Sequence, residues 1–559
     1  MKYAFLLLIL AMTASAELSV CGTEELLPIG FTEEELTRLH EIGVNTVPTA
    51  PPPDGTVNPA EWDPATGVFI RWPLGLPYEL IVAFSQETTV WVICEESQQG
   101  SVESAFTSAG VNMSNVDYFF ATTNSIWVRD YGPWFVLLED GTQGIFDYVY
   151  NRPRPDDDQI PVEVGAAWGI PVYISDIVHT GGNYMSSGFG QAMSTNLVYD
   201  ENGGNEDWVD SQMEIYLGIT DYVTMDDPLS YVTIDHIDCW AKMLSPDRVL
   251  VLQLPPSHPS YAALETAADL LAGTQSPYGG DWEVIRVASS GSEGYTNSLI
   301  CNDHVYIPLF GSSLDAAALD VYDTAMPGYT IEGFEHSGWL PDDALHCRTR
   351  NVMDSEMLFI RHVPVADEQP ADIPVTVDAR ITCHPSNALT GHSVHYRTGM
   401  SGSFTELGMT STGSDSFTAD IPGVIGGQTV QYYIAAADDS GRNESLPRFA
   451  PDTWFFQYQT SATGVAHGGP AAHGIDIGSA GPNPFRGSVS IPYTASSATA
   501  ASVTVWDIAG RVVHRETAEL EGGIGSVYWM PDEDVPPGLY LIRLDGPEWS
   551  ATQRVTLIR

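Results

Sequence analysis

Cys347 is one of only six cysteines in 559 residues and stands in DDALHCRTRNVM, preceded by His346 and followed by Arg348 and Arg350. A cysteine in that setting is an apolar filler, half of a disulfide, or a nucleophile whose thiolate nearby positive charge holds. Four other polar clusters interrupt apolar surroundings: SIWVRDYGPW (125–134), NRPRP (151–155), DHIDCW (235–240) and GYTNSLICNDH (294–304). Each alone has a plain explanation. Asp130 beside Arg129 could form a surface ion pair, His236 and Asp238 could be a satisfied pair on one face of a strand, and Arg152 and Arg154 could be solvated turn residues. Together they offer a thiol, a histidine with a carboxylate two residues on, a second carboxylate and an amide. That set suits attack on a guanidinium carbon. Asp130 and Asp238 can grip the planar cation by charge-assisted hydrogen bonds, Cys347 can add to its central carbon, and His236 can hand a proton to departing ammonia and then activate water. A cysteine protease would have little use for two anions in its pocket. The route needs no metal or organic cofactor, and no His/Cys/carboxylate set has zinc-site spacing.

The elements that must hold these residues are legible as a long alternation. From about 55 to 362, β-rich runs (LIVAFS, TVWVICE, PVYISDIV, RVLVLQLP, EVIRVAS, HVYIPLF, MLFIRHV) alternate with helical patterns such as YAALETAADLLAG and DAAALDVYDTAM, which predicts one large α/β domain. Because each polar cluster follows or ends an apolar run, its side chains are expected at strand ends, where α/β folds gather functional loops. Residues 363–460 change to Thr/Ser-rich alternating strands with turn signals, the pattern of a β-sandwich. A Gly/Ala/His/Ser linker at 461–476 leads to a second small all-β unit, 477–559, with SVTVWDIAGRVV and GLYLIRL as strands.

The chain opens MKYAFLLLILAMTASA, with one lysine, an apolar run and an Ala-Ser-Ala cleavage pattern, so residues 1–16 read as a secretory signal peptide. Residues 17–50 run from an acidic amphipathic piece, FTEEELTRLHEIG, into the proline-rich VPTAPPPDG; they read as an N-terminal extension or removable pro-segment preceding the catalytic region 51–362. The formal charge is -51, from 73 acidic against 22 basic residues, which argues against a nucleic-acid or anionic-membrane partner. Lys2 and Lys242 are the only lysines. Cationic work therefore falls to arginine, whose planar fork suits carboxylates. Arg152 and Arg154 alternate about Pro153, so both forks should project to one side and suit one carboxylate; the plainer reading is that they neutralise Asp156, Asp157 and Asp158.

The motifs WVRDYGPW, HTGGN, DHIDCWAKM, GYTNSL and HCRT occur in an order and spacing that resemble the guanidino-group-modifying enzymes, most of all the bacterial peptidylarginine deiminases and, at one remove, the agmatine deiminases. The resemblance implies a five-bladed α/β propeller (the pentein fold) over the catalytic region and an immunoglobulin-like β-sandwich after it. By the same resemblance Cys347 is the nucleophile, forming a covalent thiouronium intermediate, and His236 the acid and base. Asp130 and Asp238 anchor the guanidinium, Asn297 orients, and Trp127 walls the flat cation. Arg152 and Arg154 hold the α-carboxylate of a C-terminal arginine. The implied substrates are peptides or proteins ending in arginine; a monomer is expected. At Ser187 the chain departs from the family pattern, which usually has an acidic residue there, and this puts local loop geometry or an ion site in question. The tail motifs GPNPFRGSVSIPY, VWDIAGRVV and PPGLYLIRL resemble the C-terminal sorting domain of the type IX secretion route, which implies contact with that machinery and a final place at the cell surface or in the medium. Two other readings stay open: a deiminase of agmatine or another small guanidine, and a catalytically inactive surface binding protein.

Overall fold

The computed structural model describes residues 26–461, apart from 230, 231 and 233, and most of 475–558. The signal-peptide reading at 1–16, Cys21 and most of the linker reading at 461–476 lie outside the described residues. The chain divides into one unit of residues up to Asp367 with Pro374–Gly423 and Thr429–Gln459, and a second of Glu368–Ile373, Val424–Gln428 and Thr460–Arg559.

In the first unit β1 (Ala65–Arg71), β2 (Thr89–Cys94) and β3 (Val116–Phe120) run parallel, joined by α1 (Tyr78–Glu87) and α2 (Gln99–Ala109). A second pattern then recurs. Strands β4 (Trp134–Leu137) and β5 (Gln143–Tyr150) form a hairpin, and α3 (Ile160–Trp168) returns the chain so that β6 (Val172–His179) lies parallel to β5. The same hairpin, helix and parallel strand follow in β7 (Met185–Ser186), β8 (Gln191–Thr195), α4 (Glu206–Leu217) and β9 (Asp221–Met225). They follow again in β10 (Ala241–Ser245), β11 (Arg248–Gln253), α5 (Tyr261–Ala272) and β12 (Glu283–Ala288), and in β13 (Leu299–Cys301), β14 (His304–Leu309), α6 (Asp315–Ala325) and β15 (Thr330–Glu335). Finally β16 (Arg350–Met353) pairs antiparallel with β1, so the end of the region completes the sheet with which it began.

Local sequence explains these elements. In α5 the buried residues Leu264, Ala267, Ala268 and Leu271 fall at helical spacing, while Glu265, Thr266, Asp269 and an exposed Leu270 lie off that face. Strand β5 is buried along its whole length, as a strand covered on both faces must be. Each leucine so buried contributes about 1.5–3 kcal/mol.

Two expectations are corrected. LIVAFS is helical, lying within α1 with Leu80, Ile81 and Phe84 buried. A short apolar run carries no periodicity that separates a strand from a buried helix, and packing decides. His236 and Asp238 do not share a strand face: Ile237–Cys239 is a 3-10 turn.

The Thr/Ser-rich region forms two antiparallel sheets, including Val375–Thr382 with Ser416–Ile421 and Leu389–Thr398 with Thr429–Asp438. In Val375–Thr382 alternate residues are buried, as the sequence pattern requires. In the second unit Thr499–Asp507 pairs with Val512–Leu520 and Gly538–Asp545, over a core that includes Val503, Val505, Ile542 and Leu544.

Candidate active site

Apart from NRPRP, each polar motif occupies a short turn that opens directly into a strand of an antiparallel pair. Val128–Tyr131 precedes β4, Gly181–Asn183 precedes β7, and Ile237–Cys239 precedes β10. A turn closed by the Asn297 amide on the Gly294 carbonyl (3.0 Å) precedes β13, and His346–Arg348 precedes β16. These side chains therefore sit at strand entries, a correction to the expectation of strand ends, whereas Arg152 and Arg154 follow the end of β5, as expected. The recurrence of the pattern gives five such turns, and they meet.

Gly182 lies at the meeting point. A Cβ there would come 2.6 Å from His236 Nδ1, 2.7 Å from Asp130 Oδ1 and 3.2 Å from Asp238 Oδ2, so only glycine leaves those three groups room. Its amide donates to Asp130 Oδ1 at 3.0 Å. Around it Cys347, His236, Asp238 and Asn297 have no solvent exposure and Asp130 has 1%. Asn297 Nδ2 donates to Cys347 Sγ at 3.1 Å, while its Oδ1 accepts from the amides of Ala344 (3.2 Å) and Cys347 (3.3 Å). The amide thus fixes the turn and the sulfur together. Cys347 Sγ is 3.8 Å from Asp238 Oδ2, and Asp130 Oδ1 is 3.7 Å from His236 Nδ1. Both nitrogens of His236 are buried without a hydrogen-bond partner.

The electrostatics follow from burial and from carboxylates. Burial, then Asp238, Asp343 and Asp130, push the Cys347 thiol well above its usual range. Burial raises the Asp130 carboxyl to about 7, helped by Asp238, and lowers His236 to about 3. Arginine does not hold the thiolate. Arg348 turns to Asp343 (2.6 and 2.8 Å) and the carbonyls of Gly75 and Gly338, and Arg350 to the Pro133 carbonyl (3.0 Å). Cys347 is free, as are Cys94, Cys239, Cys301 and Cys383, so no disulfide joins these five. What the site does offer is a cradle of two carboxylates, Asp130 and Asp238, beside the thiol and the imidazole.

Behind the cradle lies a network that the sequence reading missed. His346 Nδ1 faces Asp238 Oδ2 at 2.7 Å and its Nε2 faces Glu61 Oε2 at 2.6 Å. Glu61 is also paired with Lys242 and Arg129 and accepts from the Ile300 amide. Burial opposes the Glu61 charge, but Lys242, His346 and Arg129 hold its carboxyl well below the usual range. One signal was available: Lys242 is the only lysine beyond Lys2, and a lone cation in so acidic a chain invites a specific partner. Nothing in the loop around Glu61 announces its role.

Arg152 and Arg154 both turn toward residues 28–35. Arg154 pairs with Glu35 (2.7 Å) and donates to the carbonyls of Pro28 (2.7 Å) and Gly30 (3.0 Å). Arg152 donates to the Ile29 carbonyl (3.2 Å) and stacks on Phe31 at 4.2 Å. Asp157 and Asp158 instead accept from Ser125 and from the Tyr150 amide, and Asp156 from Asn124. Trp127 donates to the Leu27 carbonyl at 3.2 Å, and Arg348 lies 5.4 Å from its ring. Ser187 accepts from the Phe189 and Gln191 amides and donates to the Gln191 carbonyl, closing the β7–β8 loop on itself.

Comparison with known proteins agrees with this geometry. A Vibrio parahaemolyticus protein carrying an agmatine deiminase designation is 24% identical over 360 residues, spanning 54% of this chain and 98% of the relative. The agmatine deiminase of Pseudomonas syringae pv. syringae is 23% identical over 347 residues, 52% of this chain and 92% of the relative. A solved structure with an agmatine deiminase designation shares the fold, with TM-score 0.50 and 20% identity over 54% of this chain and 97% of that one. Residues 480–558 match a secretion system C-terminal sorting domain, which directs the chain by the type IX route to the cell surface or exterior. No helix among the described residues is long and apolar enough to cross a membrane. The family model described as Porphyromonas-type peptidyl-arginine deiminase matches residues 57–352, more than half of the chain. The chain belongs to that deiminase family, whose members hydrolyse C–N bonds of guanidino groups.

Proposed function

We propose that this chain is an exported deiminase converting arginine, by preference at the C-terminus of a peptide, to citrulline and ammonia. The observation that carries the reading is the convergence of Cys347, unpartnered His236 and the carboxylates of Asp130 and Asp238 over the bare backbone of Gly182. A guanidinium seated between the two carboxylates offsets the negative charge that raises the thiol, so arrival of substrate favours the thiolate. Sulfur then bonds to the central carbon. The tetrahedral adduct expels ammonia as His236 passes on the proton it took from the Cys347 thiol, leaving a thiouronium. Water, deprotonated by His236, adds to the same carbon, and the C–S bond breaks to release citrulline and return the thiolate. Asn297 holds the sulfur in line, and Trp127 walls the entrance. Every group this route uses is a side chain, so activity should survive exhaustive chelation.

The peptide preference is supported by Arg154, which in this chain already holds a carboxylate, that of Glu35, with Arg152 turned to the same segment. Agmatine, which lacks a carboxylate, is the second reading, favoured by the designations of the relatives above. A purely binding role leaves the buried thiol and imidazole without a use. We read the five sheets as blades of an α/β propeller over residues 51–362, with an immunoglobulin-like sandwich at 363–460, the sorting domain at 477–559, and a monomeric enzyme. The test offers purified protein a peptide ending in arginine, a peptide with internal arginine, free arginine and agmatine, and measures ammonia and citrulline. The peptide ending in arginine should be turned over fastest, and Cys347→Ala should abolish turnover without unfolding the protein. Faster release from agmatine would replace the peptide reading with the second one.

A further inference from the structure

The three residues assigned to substrate binding outside the cradle are all engaged by one stretch of the chain that precedes the family domain. Leu27 takes the Trp127 indole N–H, Ile29 takes Arg152, and Pro28, Gly30 and Glu35 take Arg154. The segment is seated rather than draped. Ile29 is 5% exposed and packs in the same apolar cluster as Trp127, Tyr131, Tyr150 and Leu229. Glu35 is 4% exposed, and its carboxylate is aimed by its own turn: Oε2 accepts the Thr32 amide at 2.8 Å, while Thr32 Oγ1 accepts the Glu35 amide at 3.1 Å. Burial raises the Glu35 carboxyl, but the hydrogen bonds from Arg154 and Thr32 and the Arg154 charge leave it lowered.

We propose that residues 26–37 are a built-in occupant of the substrate site, with the Glu35 carboxylate on Arg154 standing where the terminal carboxylate of a peptide ending in arginine binds. The proposal rests on the carboxylate-clamp reading above and adds regulation to it. A tethered segment acts at an effective concentration on the order of millimolar, so the full chain is restrained until substrate, or removal of the segment, clears the clamp. The chemistry explains the choice of occupant. A buried arginine left without an anion is costly, and a glutamate delivered from the same chain satisfies Arg154 while substrate is absent.

The test uses the full chain and two variants. Ile29→Ser removes the apolar anchor while adding no charge beside Arg152, whose bond is to the Ile29 backbone carbonyl, and Glu35→Gln removes only the carboxylate charge. Both should lower the KM for a short peptide ending in arginine by about tenfold, the value of one charge-assisted contact, and should change the KM for the same peptide amidated at its C-terminus far less. Hydrogen exchange gives the second readout. The amides of Leu36 and Thr37, bonded to the Thr32 and Glu34 carbonyls, should lose protection when the free-acid peptide binds and keep it with the amidated one. Turnover of the free-acid peptide with unchanged protection and unchanged KM in both variants would overturn the proposal and leave the substrate reading standing. Loss of protection without turnover of that peptide would keep the segment as occupant and remove the substrate reading.

Discussion

The two sides of His346 differ in one respect that separates chemistry from support. Toward Glu61, the carboxylate has Lys242, Arg129, His346 and a backbone amide as partners, and its charge is satisfied within the protein. Toward Cys347, the groups are as deeply buried, but His236 has no hydrogen bond among the described residues, Asp130 is raised to about 7, and the thiol faces carboxylates. The first cluster holds Asp238 in place through His346, and the second, in the function proposed above, is the one that receives the substrate's cation.

The sharpest way to break that contrast is at Gly182. Gly182→Ala should reduce turnover at least a hundredfold with a small change in melting temperature, because the added methyl lands among His236, Asp130 and Asp238, on ground the substrate needs. Steady-state kinetics beside a thermal melt would decide it, and near-normal turnover would remove Gly182 from the centre of the site. On the supporting side the balance should invert. Glu61→Ala leaves Lys242 and Arg129 buried without their carboxylate, which should cost about 3–5 kcal/mol of stability, readable in denaturant unfolding. Turnover should fall as well, since His346 loses the partner that fixes it against Asp238.

The pH dependence sharpens the same contrast. Asp130 titrates near 7 in the free protein, and guanidinium binding favours its ionised form, so KM should fall as pH rises through about 7. Because this acid has its pKa raised by folding, the folded state holds its proton longer, and the same group lowers stability as pH rises from the ordinary carboxylate range to 7. Asp130→Asn should remove the pH dependence of KM along with most of the binding; a KM independent of pH between 5 and 8 in the unaltered enzyme would contradict the assignment. The smallest effect is expected at Ser187. Ser187→Ala removes one local hydrogen bond set, worth about 1 kcal/mol, and should leave kcat unchanged.

How much of this was legible varies by residue. The alternation of α5, the buried strands and the alternating strands of the later β regions were readable because each is encoded within a dozen neighbours. The expectation for LIVAFS failed because its apolar residues serve a helix face as well as a strand, and the neighbours it packs on lie elsewhere in the sequence. Cys347, His236, Asp130, Asp238 and Asn297 were legible as a candidate set, since their types are rare together and their motifs are local, and the structure brings them together, but their placement at strand entries was not legible.

The sequence by itself determined which groups could react, that the chain is acidic and carries an export tail, and that its lysines are almost absent. Only the tertiary structure decided that five turns meet at Gly182, that Glu61 reaches His346 across 285 residues, and that Arg154 finds its anion 119 residues away in Glu35. The reason is physical. Periodicity and turn chemistry act between near neighbours, whereas a buried charge takes whatever partner the packed chain brings within about 3 Å, and no local pattern records that choice.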